Sequence, residues 1–283
     1  SETSRGSDPT AMVTRRDYTS EAVAAAKSVL VELARLLGEY RDEIVLVGGW
    51  VPELLLGDSE VPHTGSMDID LALDHRRLKE GGYRTIRELL FGRGYQQGAQ
   101  PFVFIREVVV GDTRFHVQVD LLAGEYEGTG RGHRHQKLQG IQARKVRGCD
   151  LAFDSPREIS VEGELPGGGK DTVNVRVAAI VPFLVMKGMA LTDRLKEKDA
   201  WDIDYCLRNY RGGMDALVAE FRPHMTHGLV REGLKKIADA FASVDRIGPV
   251  SVANFEEITD PDDRALRRRD ACERVISLLE RLR

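Results

Sequence analysis

Asp68 and Asp70 lie in Gly65-Ser66-Met67-Asp68-Ile69-Asp70-Leu71-Ala72-Leu73, the stretch of this 283-residue chain with the clearest chemical content. A β-strand turns successive side chains to opposite faces. Met67, Ile69, Leu71 and Leu73 then share an apolar face, and Asp68 and Asp70 share the other. Two adjacent carboxylates repel each other, and a divalent cation between them relieves the repulsion. Hard oxygen ligands suit Mg²⁺ or Mn²⁺. Taken alone, Asp-x-Asp also describes a half-exposed strand with an acidic outer face, so the partners of the pair decide between the two.

Asp120 is the first partner, in Phe115-His116-Val117-Gln118-Val119-Asp120-Leu121-Leu122. Beside the Asp-x-Asp strand it would join Asp68 and Asp70 on one face. Three carboxylates with two Mg²⁺ ions form a clamp for an in-line phosphoryl or nucleotidyl displacement. Gly48-Gly49 follows an apolar strand and precedes a helix, where bare backbone approaches a phosphate closely. Ser66 offers a hydroxyl two residues before Asp68. Lys187 interrupts an apolar helix, a costly place for an ammonium unless an anion meets it. Asp199 and Asp202 are three apart and share a helix face, within reach of Arg194 and Lys198.

The elements that must position these groups are legible in outline. Ser20 is the expected cap of a helix through Val23, Val29, Leu30, Leu33 and Leu37. Glu43 to Val47 is a short strand, and Pro52 suits the first turn of the helix after Gly48-Gly49. A helix ending near Phe91 is predicted from Arg76 or later. Phe102 to Val110 and Arg114 to Leu122 flank Gly111-Asp112, a hairpin signal, and a further strand is expected around Ile141 to Val146. A second hairpin, Arg157 to Glu162 with Thr172 to Val177, flanks Pro166-Gly167-Gly168-Gly169. Mostly helix is predicted from Ala178, with the last helix near Asp262 to Leu282. The expected organisation is α+β: a disordered segment over 1–18, a mixed sheet with flanking helices over 19–155, and a mainly helical part over 156–283 that begins with the second hairpin.

Composition narrows the function classes. The net charge of −4 excludes a generic polyanion binder, so any nucleic-acid surface must be a local patch. The stretch from Arg131 to Arg147 reads either as such a patch or as a solvated basic loop: Arg131, His133, Arg134, His135, Lys137, Arg144, Lys145 and Arg147 occur with no acidic residue. Arg267-Arg268-Arg269 reads as a solvated helix face, with contact to tRNA as the alternative. Cys149, Cys206 and Cys272 are widely spaced, which argues against disulfides or a zinc site and for a reducing, cytoplasmic setting. Residues 1 to 20 do not resemble a signal peptide. The longest apolar run, Val177 to Met186, is too short to span a membrane.

The ordered set resembles the DNA polymerase beta-like nucleotidyltransferases. Within them it is most similar to the AbiE-type (AbiEii/MenT-like) toxins of type IV toxin–antitoxin systems. These carry Gly-Gly, then Ser-x-Asp-Ile-Asp-Leu, a later Asp, then Lys, Arg and Lys-Asp-x-x-Asp. Here those are Gly48-Gly49, Ser66 to Leu71, Asp120, Lys187, Arg194 and Lys198-Asp199 with Asp202. The resemblance covers residues from about 44 to 210. Trp50 stands where the family often has a small residue, and residues 128–136 have no family counterpart.

The resemblance implies an enzyme that moves NMP from ATP, CTP, GTP or UTP to the 3′ end of tRNA, blocking aminoacylation, and that is restrained by an antitoxin protein. It implies Mg²⁺ or Mn²⁺ on Asp68, Asp70 and Asp120. Gly48, Gly49, Ser66, Lys187 and Arg194 would hold the triphosphate, and Asp199 or Asp202 would position Lys187, Arg194 or the acceptor. No membrane and no DNA partner is expected. A small-molecule or protein hydroxyl is the alternative acceptor, and an inactive nucleotide- or RNA-binding module is the alternative class.

Overall fold

The structure, a computed structural model, describes residues 13–78, 80–124, 135–138, 141–194 and 196–283. Its elements run α1 (Ser20–Leu36), β1 (Ile44–Val47), α2 (Trp50–Leu55), β2 (Asp68–Leu73), α3 (Glu80–Gly92), β3 (Gln96–Gln97), β4 (Val103–Val110) and β5 (Thr113–Ala123). Then come β6 (His135–Leu138), β7 (Ile141–Lys145), β8 (Arg157–Glu164) and β9 (Lys170–Val177). The chain ends in helices α4 (Ile180–Asp193), α5 (Glu197–Asn209), α6 (Gly213–Phe221), α7 (Gly228–Ala240), α8 (Ile247–Phe255) and α9 (Pro261–Arg281). This is the expected α+β plan, a mixed sheet with flanking helices followed by a helical region. Among the described residues no helix is long and apolar enough to cross a membrane.

One mixed sheet carries the order β3-β4-β5-β2-β1-β9-β8. β2 is antiparallel to β1 and parallel to β5, and β9 is parallel to β1. The hairpin β8–β9 therefore extends the sheet begun by β1 and β2, and the expected division at residue 155 falls inside that sheet. The reason is local. Val175 and Val177 are buried, and Val177 pairs with Leu46 of β1.

β5 is long and is served along one edge by two strands in relay. β4 pairs with it from Thr113 up to Asp120, where Val103 is the partner. β7 then pairs with it in parallel, Leu122 with Arg144 and Ala123 with Lys145. The expected Gly111-Asp112 hairpin and the expected strand near Ile141 are both present.

Helix α1 packs across the apolar face of the sheet. Its Leu30 and Leu33, with Leu37 just past its end, share one apolar cluster with Ile44, Leu46 and Leu71. Ile69, Leu71 and Leu73 are buried as their alternation predicts. The cap of α1 is Thr19, whose side-chain oxygen accepts from the Ala22 N–H at 3.2 Å, so Ser20 is the first helical residue and not the cap. α3 starts at Glu80, within the predicted range.

The N-terminal expectation also changes. Residues 1–12 lie outside the described residues, but 13–18 are structured. Thr14 and Asp17 form a capping box around a short 3-10 turn. The Tyr18 ring sits edge-on to Phe255 and 5.2 Å from the Lys198 ammonium, which gives an aromatic ring both apolar and cation–π contacts.

Glu32 of α1 is buried on the sheet side. It accepts from Arg93 Nε at 2.8 Å, Arg106 Nε at 2.9 Å and the Tyr95 hydroxyl at 2.9 Å. Removing one partner of such a group leaves buried donors unmatched. Glu32→Leu should lower the unfolding free energy by about 3 kcal/mol in urea titration, whereas a change below about 0.5 kcal/mol, ordinary for surface positions, would refute this role for Glu32.

Candidate active site

Register assembles the carboxylates. Asp70 of β2 is the direct partner of Asp120 of β5, and Asp68 is the partner of Gln118. Residues opposite each other in neighbouring strands share a face. Asp68, Asp70, Gln118 and Asp120 therefore stand on one face of the sheet, opposite the face that α1 covers. Ala72 and Leu122 continue the same rows toward the interior.

Gly48 explains how Asp70 fits. It has φ of +72°, and a Cβ there would overlap the Asp70 carboxylate. Glycine is required for this close approach. A Cβ on Gly49 would lie 2.6 Å from Ser66 Oγ and 3.3 Å from Lys198 Nζ. The Gly-Gly step is thus dictated first by the protein's own polar groups.

Among the described residues no ion pair involves Asp68, Asp70 or Asp120. Ser66, itself buried, donates to Asp68 Oδ1 at 2.6 Å, and Gln118 Nε2 donates to Asp120 Oδ1 at 2.8 Å. Burial, then the charges of Asp68 and Asp120, push the Asp70 carboxyl up from 3.8 to about 7. Burial likewise raises Asp120, against the hydrogen bond from Gln118. Like-charged oxygens gathered on one face are the donor set of a hard divalent cation. In donor type and sheet placement Asp68, Asp70 and Asp120 fit one. Among the described residues, however, no three His, Cys, Asp or Glu side chains stand close enough to hold a metal as they are. One oxygen each of Asp68 and Asp120 is engaged by Ser66 and Gln118.

Two cavities flank this row. The first, about 360 Å³, is walled by Gly48, Asp70, Lys187, Arg194, Arg147 and Lys236 among others. The second, about 970 Å³, contains Asp120, Gln118, Phe102, Val103 and Gln100. It opens where β4 leaves the edge of β5 and β7 takes over. Arg144, Lys145 and Asp193 belong to both walls. Of the sequence-predicted residues, Gly48, Asp70, Lys187 and Arg194 line the first cavity and Asp120 the second. Gly49, Ser66, Asp68, Asp199 and Asp202 line neither.

Asp199 and Asp202 are instead the core of a buried ion cluster. Asp202 is fully buried. It receives Lys187 Nζ at 2.7 Å and Lys198 Nζ at 2.9 Å. Asp199 receives Lys187 Nζ at 2.6 Å and Arg194 Nε at 3.0 Å. Burial disfavours the Asp202 anion, but Lys187 and Lys198 outweigh it and hold the carboxyl far below its usual range. Burial opposes the Lys187 cation too, and Asp199 and Asp202 more than restore it. Lys187 is thus neither a snorkelling surface residue nor an unpaired ammonium. The pairing follows from helical spacing, since residues 198 and 202 are one turn apart on α5.

His63 joins the cluster, and its sequence context carried no signal for it. Its Nδ1 accepts from the Gly65 N–H at 3.0 Å, so Nε2 carries the proton and donates to Asp202 Oδ1 at 2.9 Å. Burial and the Lys198 charge lower its pKa to about 4. The ring lies against Trp201 and Tyr205. The Tyr205 hydroxyl donates to the Val61 carbonyl at 2.7 Å. The segment leading into β2 is thereby strapped to α5.

The basic patches divide. Arg131, His133 and Arg134 lie outside the described residues, as do residues 128–134 of the stretch without family counterpart. Arg144 is exposed, and Arg147 pairs with Glu232 at 2.6 Å. Arg267, expected on a solvated face, is largely buried and holds Asp204 at 2.6 Å and Glu256 at 2.7 Å. Its neighbour Arg268 donates to the Val244 carbonyl at 2.8 Å. All three cysteines are free and buried.

Comparison with family models found no match, and comparisons with curated proteins and with solved structures found none either.

Two stability predictions follow from the charges. From pH 3.8 to about 7 the folded chain holds a proton on Asp70 that the unfolded chain has released. Stability therefore falls as pH rises through that window, and the cost is complete above it. Asp70→Asn should raise the melting temperature by roughly 2–4 °C at pH 8 and leave it unchanged at pH 4; a gain equal at both pH values would show that charge is not the cause. Asp202→Asn leaves Lys187 and Lys198 short of countercharge. It should cost about 3 kcal/mol or more in urea titration, whereas a cost under about 0.5 kcal/mol would mark a surface residue.

Proposed function

We propose that this chain is a divalent-cation-dependent nucleotidyltransferase that moves NMP from an NTP to a polynucleotide end, the 3′ end of tRNA, and acts as a translation-blocking toxin in the cytoplasm, held in check by an antitoxin protein. The observation that carries this is the pairing of Asp70 with Asp120 on parallel strands, between a cation-walled cavity and a second cavity that contains Asp120.

The chemistry is an in-line displacement. An acceptor hydroxyl oxygen bonds to the α-phosphorus, the bond from that phosphorus to the bridging oxygen breaks, and pyrophosphate leaves with the electron pair. Mg²⁺ or Mn²⁺ ions held by Asp68, Asp70 and Asp120 would supply charge neutralisation and hydroxyl activation. Asp120, in the second cavity, is suited to receive the hydroxyl proton. In the first cavity Gly48 leaves backbone bare beside Asp70. Lys187 and Arg194 offer positive charge to the β- and γ-phosphates. Both are already held by Asp199, so little has to reorganise as charge develops on pyrophosphate. Asp199 and Asp202 act here as positioning residues, and Ser66 as the group that orients Asp68.

Two cations are placed to meet an anionic acceptor once metal ions compensate the carboxylates. Arg144 and Lys145 stand in the second cavity with Asp120 and Asp193. A phosphodiester chain is attracted to such cations, and a polycationic antibiotic is not.

The test incubates the chain with each labelled NTP, Mg²⁺ and total tRNA, and maps the label. The expected result is label at the tRNA 3′ end with release of pyrophosphate, lost by about 10³-fold or more in Asp68→Ala and Asp120→Asn. Label on a small molecule or protein in place of RNA would overturn the acceptor; undiminished transfer by folded Asp68→Ala would overturn the site.

A further inference from the structure

We propose that Arg144 is a further catalytic residue, the cation that contacts the phosphate in transit between the two cavities; this rests on the nucleotidyl-transfer reading above. The sheet register carries it. Arg144 of β7 is the direct partner of Leu122 on β5, and Leu122 is two residues beyond Asp120. Residues i and i+2 of a strand share a face, and so do direct partners across strands. Arg144 therefore projects from the same face as Asp68, Asp70 and Asp120. Lys145, its neighbour, starts from the opposite face.

Placement along the edge adds to this. β4 ends its pairing with β5 at Asp120, and β7 begins at Leu122. The second cavity lies at this step and is lined by both the buried Asp120 and the exposed Arg144. The same side chain lines the first cavity, beside Asp70 and Gly48. Few residues belong to both walls, and a group transferred from one cavity to the other must pass them.

The charge inventory leaves Arg144 and Lys145 among the cations shared by both walls, and the strand face separates them. Lys187 and Arg194 are paired with Asp199, Lys198 with Asp202, and Arg147 with Glu232. Lys236 donates to Thr192 at 2.6 Å. Arg144 is exposed and has no ion pair among the described residues. The carboxylate its charge acts on is Asp120. A guanidinium presents a planar fork that spans two phosphate oxygens, which an ammonium does not. In the transfer the acceptor oxygen bonds to the α-phosphorus, pyrophosphate departs with the electron pair of the broken bond, and the hydroxyl proton goes to Asp120. Arg144 stays protonated and holds the non-bridging oxygens of the α-phosphate as their charge redistributes.

The experiment measures kcat and KM for NTP and for RNA in wild type, Arg144→Gln and Arg144→Lys, each with unchanged melting temperature. Arg144→Gln should lower kcat by about 100-fold or more at saturating substrates, and Arg144→Lys should restore less than a tenth of the wild-type value. Wild-type kcat in Arg144→Gln, or a loss confined to KM for RNA that Lys restores, would make Arg144 a phosphate-tracking surface residue and overturn the proposal alone. A wild-type chain that transfers no nucleotide to any acceptor would overturn the transfer reading and this proposal with it.

Discussion

Asp202 has no access to water, and an ionised carboxylate there is tolerated only because cations surround it. Its three partners come from different places. Lys187 belongs to the apolar helix α4, Lys198 to α5, and the third donor, His63, to the segment that delivers Ser66 and Asp68 to β2. One buried charge therefore links the two main helices to the strand that carries the carboxylate pair. The tautomer of His63 is part of the same constraint, because the Gly65 N–H occupies Nδ1 and leaves Nε2 to donate.

A second acidic cluster, on the sheet, is treated in the opposite way. Asp202 is held far down by paired lysines, while the Asp70 carboxyl is raised by burial and by its own neighbours. The molecule thus neutralises its structural acids internally and leaves its sheet-face acids under-compensated. The two acids differ because Asp202 faces cations from two helices and the half-buried Asp70 faces carboxylates of its own and the adjacent strand. The under-compensated set is the one that gains most from an added cation, and it borders both cavities.

The alternation in Met67 to Leu73 was legible because a period of two needs no partner to be recognised, and Ile69, Leu71 and Leu73 are buried as it requires. The hairpin at Gly111-Asp112 and the helical character after Ala178 were legible for the same local reasons. The membership of β8–β9 in the sheet was not. A hairpin announces its turn, but its neighbour is chosen by the burial of Val177 against Leu46. Tyr18 was read as part of a disordered segment because its polar surroundings give no sign of Phe255 and Lys198, distant in sequence. Arg267 was read as solvated because helical periodicity does not reveal that Asp204 and Glu256 converge on it.

The sequence by itself determined local placement: the Asp68–Asp70 pair and its face, the glycines before α2, the helical spacing of Lys198 with Asp202. These depend only on the fixed geometry of strands and helices. Only the tertiary structure decided what each group faces. Pairing of β2 with β5 brought Asp120 beside Asp70, and the relay from β4 to β7 set Arg144 on the same face. Helix packing turned Asp199 and Asp202 inward to bind Lys187, away from both cavities. Such assignments depend on contacts between residues tens of positions apart, and charge finds its partner through burial and distance, which local spacing does not encode.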